Sequence, residues 1–169
     1  LASSRANCAV PSASRGRRSP RHPPTLDRSP PSLRLYHHYV FPHLLDFAMS
    51  NRKFRKPRDR TLAPARGRIL EIGFGTGINL THYPPTVKRI EAIDPDLDLD
   101  RYALPRIAVA PIDVDFHHLD AEHLPFERDS FDTVVCTLTL CSIPDVVHAL
   151  GEVRRVLRSG GQFLFLEHG

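Results

Sequence analysis

Residues 66–169 read as an α/β domain built on a doubly wound parallel sheet, and three observations carry that reading. Short apolar, β-rich runs alternate with stretches of helical periodicity, the order that produces parallel strands joined by crossovers. A glycine-rich turn, Gly73-Phe74-Gly75-Thr76-Gly77, lies between the first such run and the stretch after it. Asp94 closes the second run, 21 residues beyond Gly73.

The elements follow in order. Arg68–Ile72 is a short apolar strand, and the glycine turn leads into a helix predicted from about Ile78. Arg89–Ile93 is the second strand. Asp96–Ala103 forms a short helix with Asp98 and Asp100 near its start, where carboxylates favour the helix dipole. A third strand lies within Ile112–His118, and Phe131–Leu138, rich in β-branched and aromatic residues, is the most β-like segment. Asp145–Leu157 places Val146, Val147, Leu150, Val153, Val156 and Leu157 at helical spacing. Gly160-Gly161 ends that helix and Gln162–Leu166 is the fifth strand. A closed domain of this kind needs further strands, so the expectation is a sheet truncated after the fifth strand.

The N-terminal third differs. Residues 1–35 hold six of the sixteen prolines and one acidic residue, too little apolar surface to offset the entropy of ordering. The expectation is a disordered basic extension rich in Pro, Ser and Arg; its prolines spoil an amphipathic targeting helix. The chain begins with Leu and its only Met is Met49, consistent with upstream sequence read ahead of a natural start. From Tyr36 apolar residues recur at helical spacing, broken by Pro42, so residues 36–65 are expected to form a helical cap. Arg52, Lys53, Arg55, Lys56, Arg58 and Arg60 make a basic run, read first as a solvated helix face and at most as a peripheral contact with an anionic membrane surface.

Charge and cysteines exclude several classes. Residues 1–68 carry 15 of the 23 Lys and Arg; residues 69–169 carry 8 basic against 16 acidic side chains. The basic pI belongs to the N-terminal third, so nucleic-acid binding is not expected. No run approaches the roughly 18 apolar residues of a membrane span. Cys8, Cys136 and Cys141 form no C-x-x-C pair; Cys136 and Cys141 read as buried thiols, and the sparse odd count fits a reducing cytoplasm.

Glycine permits the tight turn at residues 73–77 and lets backbone approach a ligand without a Cβ in the way. Such a turn, at a topological switch point, suits a nucleotide-like ligand. The spacing is G-x-G-x-G, with Ile78 where a dinucleotide fingerprint has its third glycine. Asp94 stands where a carboxylate accepts both ribose hydroxyls. In the Asp120-Ala121-Glu122 stretch, flanked by Leu119 and Leu124, a carboxylate is placed to accept from an adenine amino group; the plainer reading is a helix cap. The His37-His38 and His117-His118 pairs do not make a metal site, since adjacent strand residues face opposite sides. No metal is expected.

These residues carry a resemblance. The segments Glu71–Gly77, Asp94, Asp120–Phe126, Ser130–Asp132, Thr137–Ile143 and Val153–Gly161 resemble a class I S-adenosylmethionine-dependent methyltransferase with a Rossmann-like fold. Thr139–Ser142 and Phe165–Gly169 resemble a narrower group, bacterial relatives of the methyltransferase-like thiol methyltransferases and, further off, the ubiquinone/menaquinone methyltransferases. The resemblance covers about residues 36–169. It implies that Glu71, Gly73, Phe74, Gly75, Thr76 and Gly77 line the methionine and ribose parts of S-adenosylmethionine, with Phe74 as a bulkier lid than usual. It implies that Asp94, with Pro95, holds the ribose hydroxyls and that Asp120 and Ala121 meet the adenine. Thr137 and Leu138 would sit under the sulfonium and face a small-molecule acceptor such as a thiol, phenol or quinol.

Because a sulfonium methyl is already activated, in-line displacement needs chiefly alignment and exclusion of water. A thiol or phenol must also lose a proton, for which His168 and, behind it, His148 are the candidate bases; both also read as surface histidines. The competing readings are a catalytically silent cofactor-binding remnant and a nicotinamide oxidoreductase, the latter disfavoured by the glycine spacing.

Overall fold

The computed structural model describes residues 52–167. The 1–35 extension, residues 36–51 of the cap and His168 lie outside the described residues. The elements are α1 (Arg52–Leu62), β1 (Ile69–Ile72), β2 (Arg89–Ile93), α2 (Asp100–Val109), β3 (Asp113–His117), β4 (Phe131–Thr137), α3 (Val146–Val156) and β5 (Leu157–Leu166). All five strands are parallel, in the order β3-β2-β1-β4-β5. This is the α/β sheet expected from the sequence, with β1 at its centre and the order reversing between β1 and β4.

Alternation along β1 sorts its residues onto two faces. Ile69 packs with Leu62, Phe74, Leu80, Tyr83, Val87, Ile90, Ala92 and Val135 in one core cluster. Leu70 and Ile72 pack with Ile93, Leu124, Phe131, Val134, Val153 and Val156 in the other. Glu71 therefore points to the first face, a carboxylate aimed into a core. It is 1% exposed.

Three stretches depart from the sequence reading. The helix expected from Ile78 is a single 3₁₀ turn, Ile78–Thr81, because the chain reaches Pro84-Pro85, which cannot continue a helix. The Asp96–Ala103 helix is instead a 3₁₀ turn (Leu97–Leu99), capped by the Asp96 carboxylate, running into the longer α2. Helix α3 ends at Val156 rather than at the glycines, and β5 begins immediately. Phe131 faces Leu157 and Thr133 faces Gln162, so Gly160 and Gly161 fall in an irregularity of β5. Gly160 sits there at φ 76.

The cysteines split. Cys136 is buried, which pushes its thiol up to about 12, whereas Cys141 is exposed, not buried as expected. No helix among the described residues is long and apolar enough to cross a membrane.

Candidate functional site

The C-terminal ends of β1, β2 and β4 converge on the glycine turn. Gly73, Gly75 and Gly77 adopt φ of 71, 57 and 76, a region that side chains disfavour. The N–H groups of Gly73 and Phe74 both donate to the Ile93 carbonyl at 3.0 Å, pinning the turn to the end of β2. A Cβ on Gly73 would overlap the Thr139 side chain, whereas one on Gly75 would meet nothing nearer than the Gly73 carbonyl at 4.0 Å. The turn is packed on one side and open at its tip.

Beneath it lies a buried polar cluster. Tyr83 Oη donates to Glu71 Oε2 at 2.6 Å, and Asn79 Nδ2 donates to Glu71 Oε1 and to Thr137 Oγ1, both at 2.9 Å. Burial pushes the Glu71 carboxyl up to about 7, against the pull of Tyr83, Asn79 and the Arg58 guanidinium. Asn79 Oδ1 is buried without a hydrogen-bond partner among the described residues. An acceptor left bare at that depth is costly and calls for a donor.

Asp94 is also buried. Its carboxylate accepts from Gly75 N at 2.7 Å and Asp96 N at 2.9 Å, while desolvation raises its pKa. Pro95 beside it is exposed. His118 brackets Asp94, its Nδ1 lying 3.3 Å from the Asp94 carbonyl and its Nε2 3.3 Å from Asp100 Oδ2.

A family model described as a methyltransferase domain matches residues 70–165, which span every strand from β1 to β5. The chain belongs to the methyltransferase domain family. It is 39% identical over 114 residues to the human thiol S-methyltransferase TMT1A, covering 59% of this chain and 42% of that protein. It is 31% identical over 106 residues to the ubiquinone/menaquinone biosynthesis C-methyltransferase UbiE of Bartonella henselae, covering 59% and 40%. The crystal structure of the Bacillus subtilis YcgJ protein superposes with a TM-score of 0.61 at 30% identity, covering 70% of this chain and 51% of that one. The chain thus spans about half the length of the relatives it matches.

Within this methyltransferase domain the remaining sequence-assigned residues fall on two sides. Thr137 closes β4, and its hydroxyl joins the Asn79 cluster. Leu138 follows in the left-handed region, φ 56, held by its N–H to the Leu166 carbonyl at 2.7 Å. The next two N–H groups, of Thr139 and Leu140, both donate to Glu167 Oε1 at 2.9 Å, tying the end of β5 to this bend. Asp120 is exposed, with His123 Nδ1 3.0 Å from its carboxylate, while Ala121 and Leu124 are buried.

The Asp120–Phe126 loop is held by a clamp that sequence reasoning missed. Arg155 of α3 donates to the Leu124 and Phe126 carbonyls at 2.8 and 2.7 Å and grips Glu152 at 2.6 Å; Glu152 in turn accepts from Leu124 N at 3.0 Å. Arg155 holds the Glu152 carboxyl down at about 2.

Two further readings are corrected. Phe74 is no lid: its ring is 3% exposed, 5.1 Å from that of Phe116 in the core beneath the turn, and only its backbone belongs to the open turn. The basic run is not wholly a solvated face. Arg58 shares a helix face with Leu62, four residues on, and both are buried, so Arg58 reaches the field of Glu71. Helical phase within the run was the signal that would have singled it out. His148 is exposed, with its ring 5.3 Å from that of His123.

Proposed function

We propose that the chain binds S-adenosylmethionine at the C-terminal ends of β1, β2 and β4 and serves methyl transfer to a small-molecule acceptor, a thiol before a phenol or quinol. The observation that carries the cofactor reading is the buried acceptor pair of Glu71 and the orphaned Asn79 Oδ1 beneath an open glycine turn. A cationic amine such as the methionyl ammonium supplies the missing donor and favours the charged form of Glu71. Asp94, whose Oδ atoms each hold one backbone N–H, keeps lone pairs for ribose hydroxyls. Asp120, exposed on a clamped loop with His123 beside its Oδ1, keeps Oδ2 to accept from the adenine amino group, and buried Ala121 and Leu124 give that loop an apolar underside.

The bound cofactor supplies a sulfonium-activated methyl group. The chain's own work is alignment: the left-handed bend at Leu138, fixed by Leu166 and Glu167, sets the floor on which an acceptor meets that methyl. The thiol preference follows the resemblance of Thr139–Ser142 and the thiol S-methyltransferase among the relatives. His168 stays a proposed base for acceptor deprotonation.

Calorimetric titration with S-adenosylhomocysteine and NADH tests the cofactor. The expected result is micromolar binding of the first, weakened at least about tenfold by Asp94→Asn, and none of the second. NADH binding alone would overturn the reading. Labelled methyl transfer by the full-length gene product to thiols and quinols tests the activity; cofactor binding with no turnover on either class would favour a silent remnant.

A further inference from the structure

On the sheet face that carries α1 and α2, the short turn after the glycine segment leaves a cavity of about 630 Å³ between Ile78–Pro85, α1 and the end of α2. That volume lies within the roughly 300–1,000 Å³ of small-molecule sites. Its floor is the outer side of the core, where Leu80, Val87 and Ile112 are buried. Its lining carries cations from three separate segments: exposed Arg55 and buried Arg58 of α1, Lys88 before β2, and Arg106 of α2. The one carboxylate among the lining residues, Asp59, is engaged by His82 at 2.7 Å. Arg106 is oriented by the Thr76 carbonyl at 2.7 Å.

A second cavity, of about 680 Å³ along the N-terminal ends of β1 and β2, shows what a settled arginine surface looks like. There Arg68 holds Glu91 at 2.7 Å, and Arg89 holds Asp115 and Asp113 at 3.3 and 3.6 Å. Around the first cavity, Arg55 and Lys88 are exposed and enter no ion pair among the described residues. Like charges converging on an apolar floor raise a positive potential that an anion relieves.

We propose that this cavity binds an amphipathic anion, a carboxylate or phosphate monoester carrying an apolar tail. The tail lies on Leu80, Val87 and Ile112, and the head meets Arg55 and Lys88. The cavity adjoins the glycine turn of the cofactor reading at Gly77, but its apolar floor and its exposed cations lie away from Asp94 and the strand ends.

The test is calorimetric titration of the full chain with decanoate, decyl phosphate, decanol and inorganic phosphate. Both decyl anions are expected to bind, with decanol and inorganic phosphate at least about tenfold weaker. Inorganic phosphate separates a free anion from a tailed one. The double variant Arg55→Gln/Lys88→Gln, at two exposed positions, should keep its circular dichroism and lose affinity for both anions by at least about tenfold. No binding of either anion, equal binding of decanol, or full affinity in the double variant would overturn the proposal. Asp94→Asn should leave decanoate binding unchanged; loss of it there would place the anion at the strand ends and also overturn it. Failure of S-adenosylhomocysteine to bind beside intact decanoate binding would strike only the cofactor reading.

Discussion

Two carboxylates proposed to meet one cofactor stand in opposite surroundings. Glu71 is sealed in the centre of the sheet, bonded by Tyr83 and Asn79 and facing Arg58. Asp120 stands in water on a loop that α3 holds through Glu152 and Arg155. The first is part of the fold; the second is carried by it. One end of the site is therefore inseparable from stability, and the other can change affinity without touching the core.

The largest expected effect breaks that contrast directly. Glu71→Ala strands the Tyr83 hydroxyl, removes one of the two acceptors of the Asn79 amide and leaves a cavity in the core, and should cost about 3–5 kcal/mol in urea unfolding. Asp120→Ala should stay within about 0.5 kcal/mol of the parent in the same assay while weakening S-adenosylhomocysteine about tenfold. Equal stability losses in the two variants would dissolve the distinction.

The two ends should also answer to pH in opposite directions. The folded chain keeps the Glu71 proton up to about 7, whereas a free carboxyl loses it near 4.5. Between those values the folded state binds the extra proton, so stability falls as pH rises, by on the order of 3 kcal/mol. Glu152 runs the other way. Its carboxyl is held at about 2, so its contribution is complete above 4.5 and is lost as pH falls toward 2. Melting curves across pH should show Glu71→Gln flattening only the upper window and Glu152→Gln only the acid one. A variant that flattens both would show that the ends are coupled.

Arg155→Met sharpens the comparison from the exposed side. Losing the clamp should lower stability by about 1–3 kcal/mol and weaken S-adenosylhomocysteine. Adding Asp120→Ala to it should then cost clearly less affinity than in the parent, because the loop no longer presents the carboxylate. Full additivity in that cycle would mean that Arg155 does not position Asp120. The smallest effect is a gain. Gly151 in α3 has open space at its Cβ position, so Gly151→Ala should stabilise the helix that carries the clamp by about 0.5–1 kcal/mol in the same unfolding assay.

Legibility in the sequence followed the range of the interaction. Arg89–Ile93 was readable as a strand because its alternation and flanking turn chemistry are local, and the same holds for β4 and the glycine turn. The parallel arrangement followed from the alternation of strand and helix. Asn79 and Tyr83 were not readable as partners of Glu71, because a continuing helix after Ile78 would have carried them elsewhere; the early stop before Pro84-Pro85 folds them back. Arg155 reaches carbonyls 29 and 31 residues away, and nothing local marks it among the arginines of α3. Phe74 looked like a ligand contact because its neighbours are glycines, yet its ring had a core to fill.

The place of β1 in the sheet bears on how this molecule is made. Of the five described strands it leaves the ribosome before the others, yet it ends at the middle, with Leu70 beside Glu91 on one flank and Val134 on the other. Strands β2 and β3 can zip onto the first flank while the second still waits for β4. Until Thr137 emerges, Asn79 lacks one of its two acceptors and Glu71 remains open to water. During synthesis the glycine turn is made before β4, but the buried cluster beneath it is finished only when that strand docks.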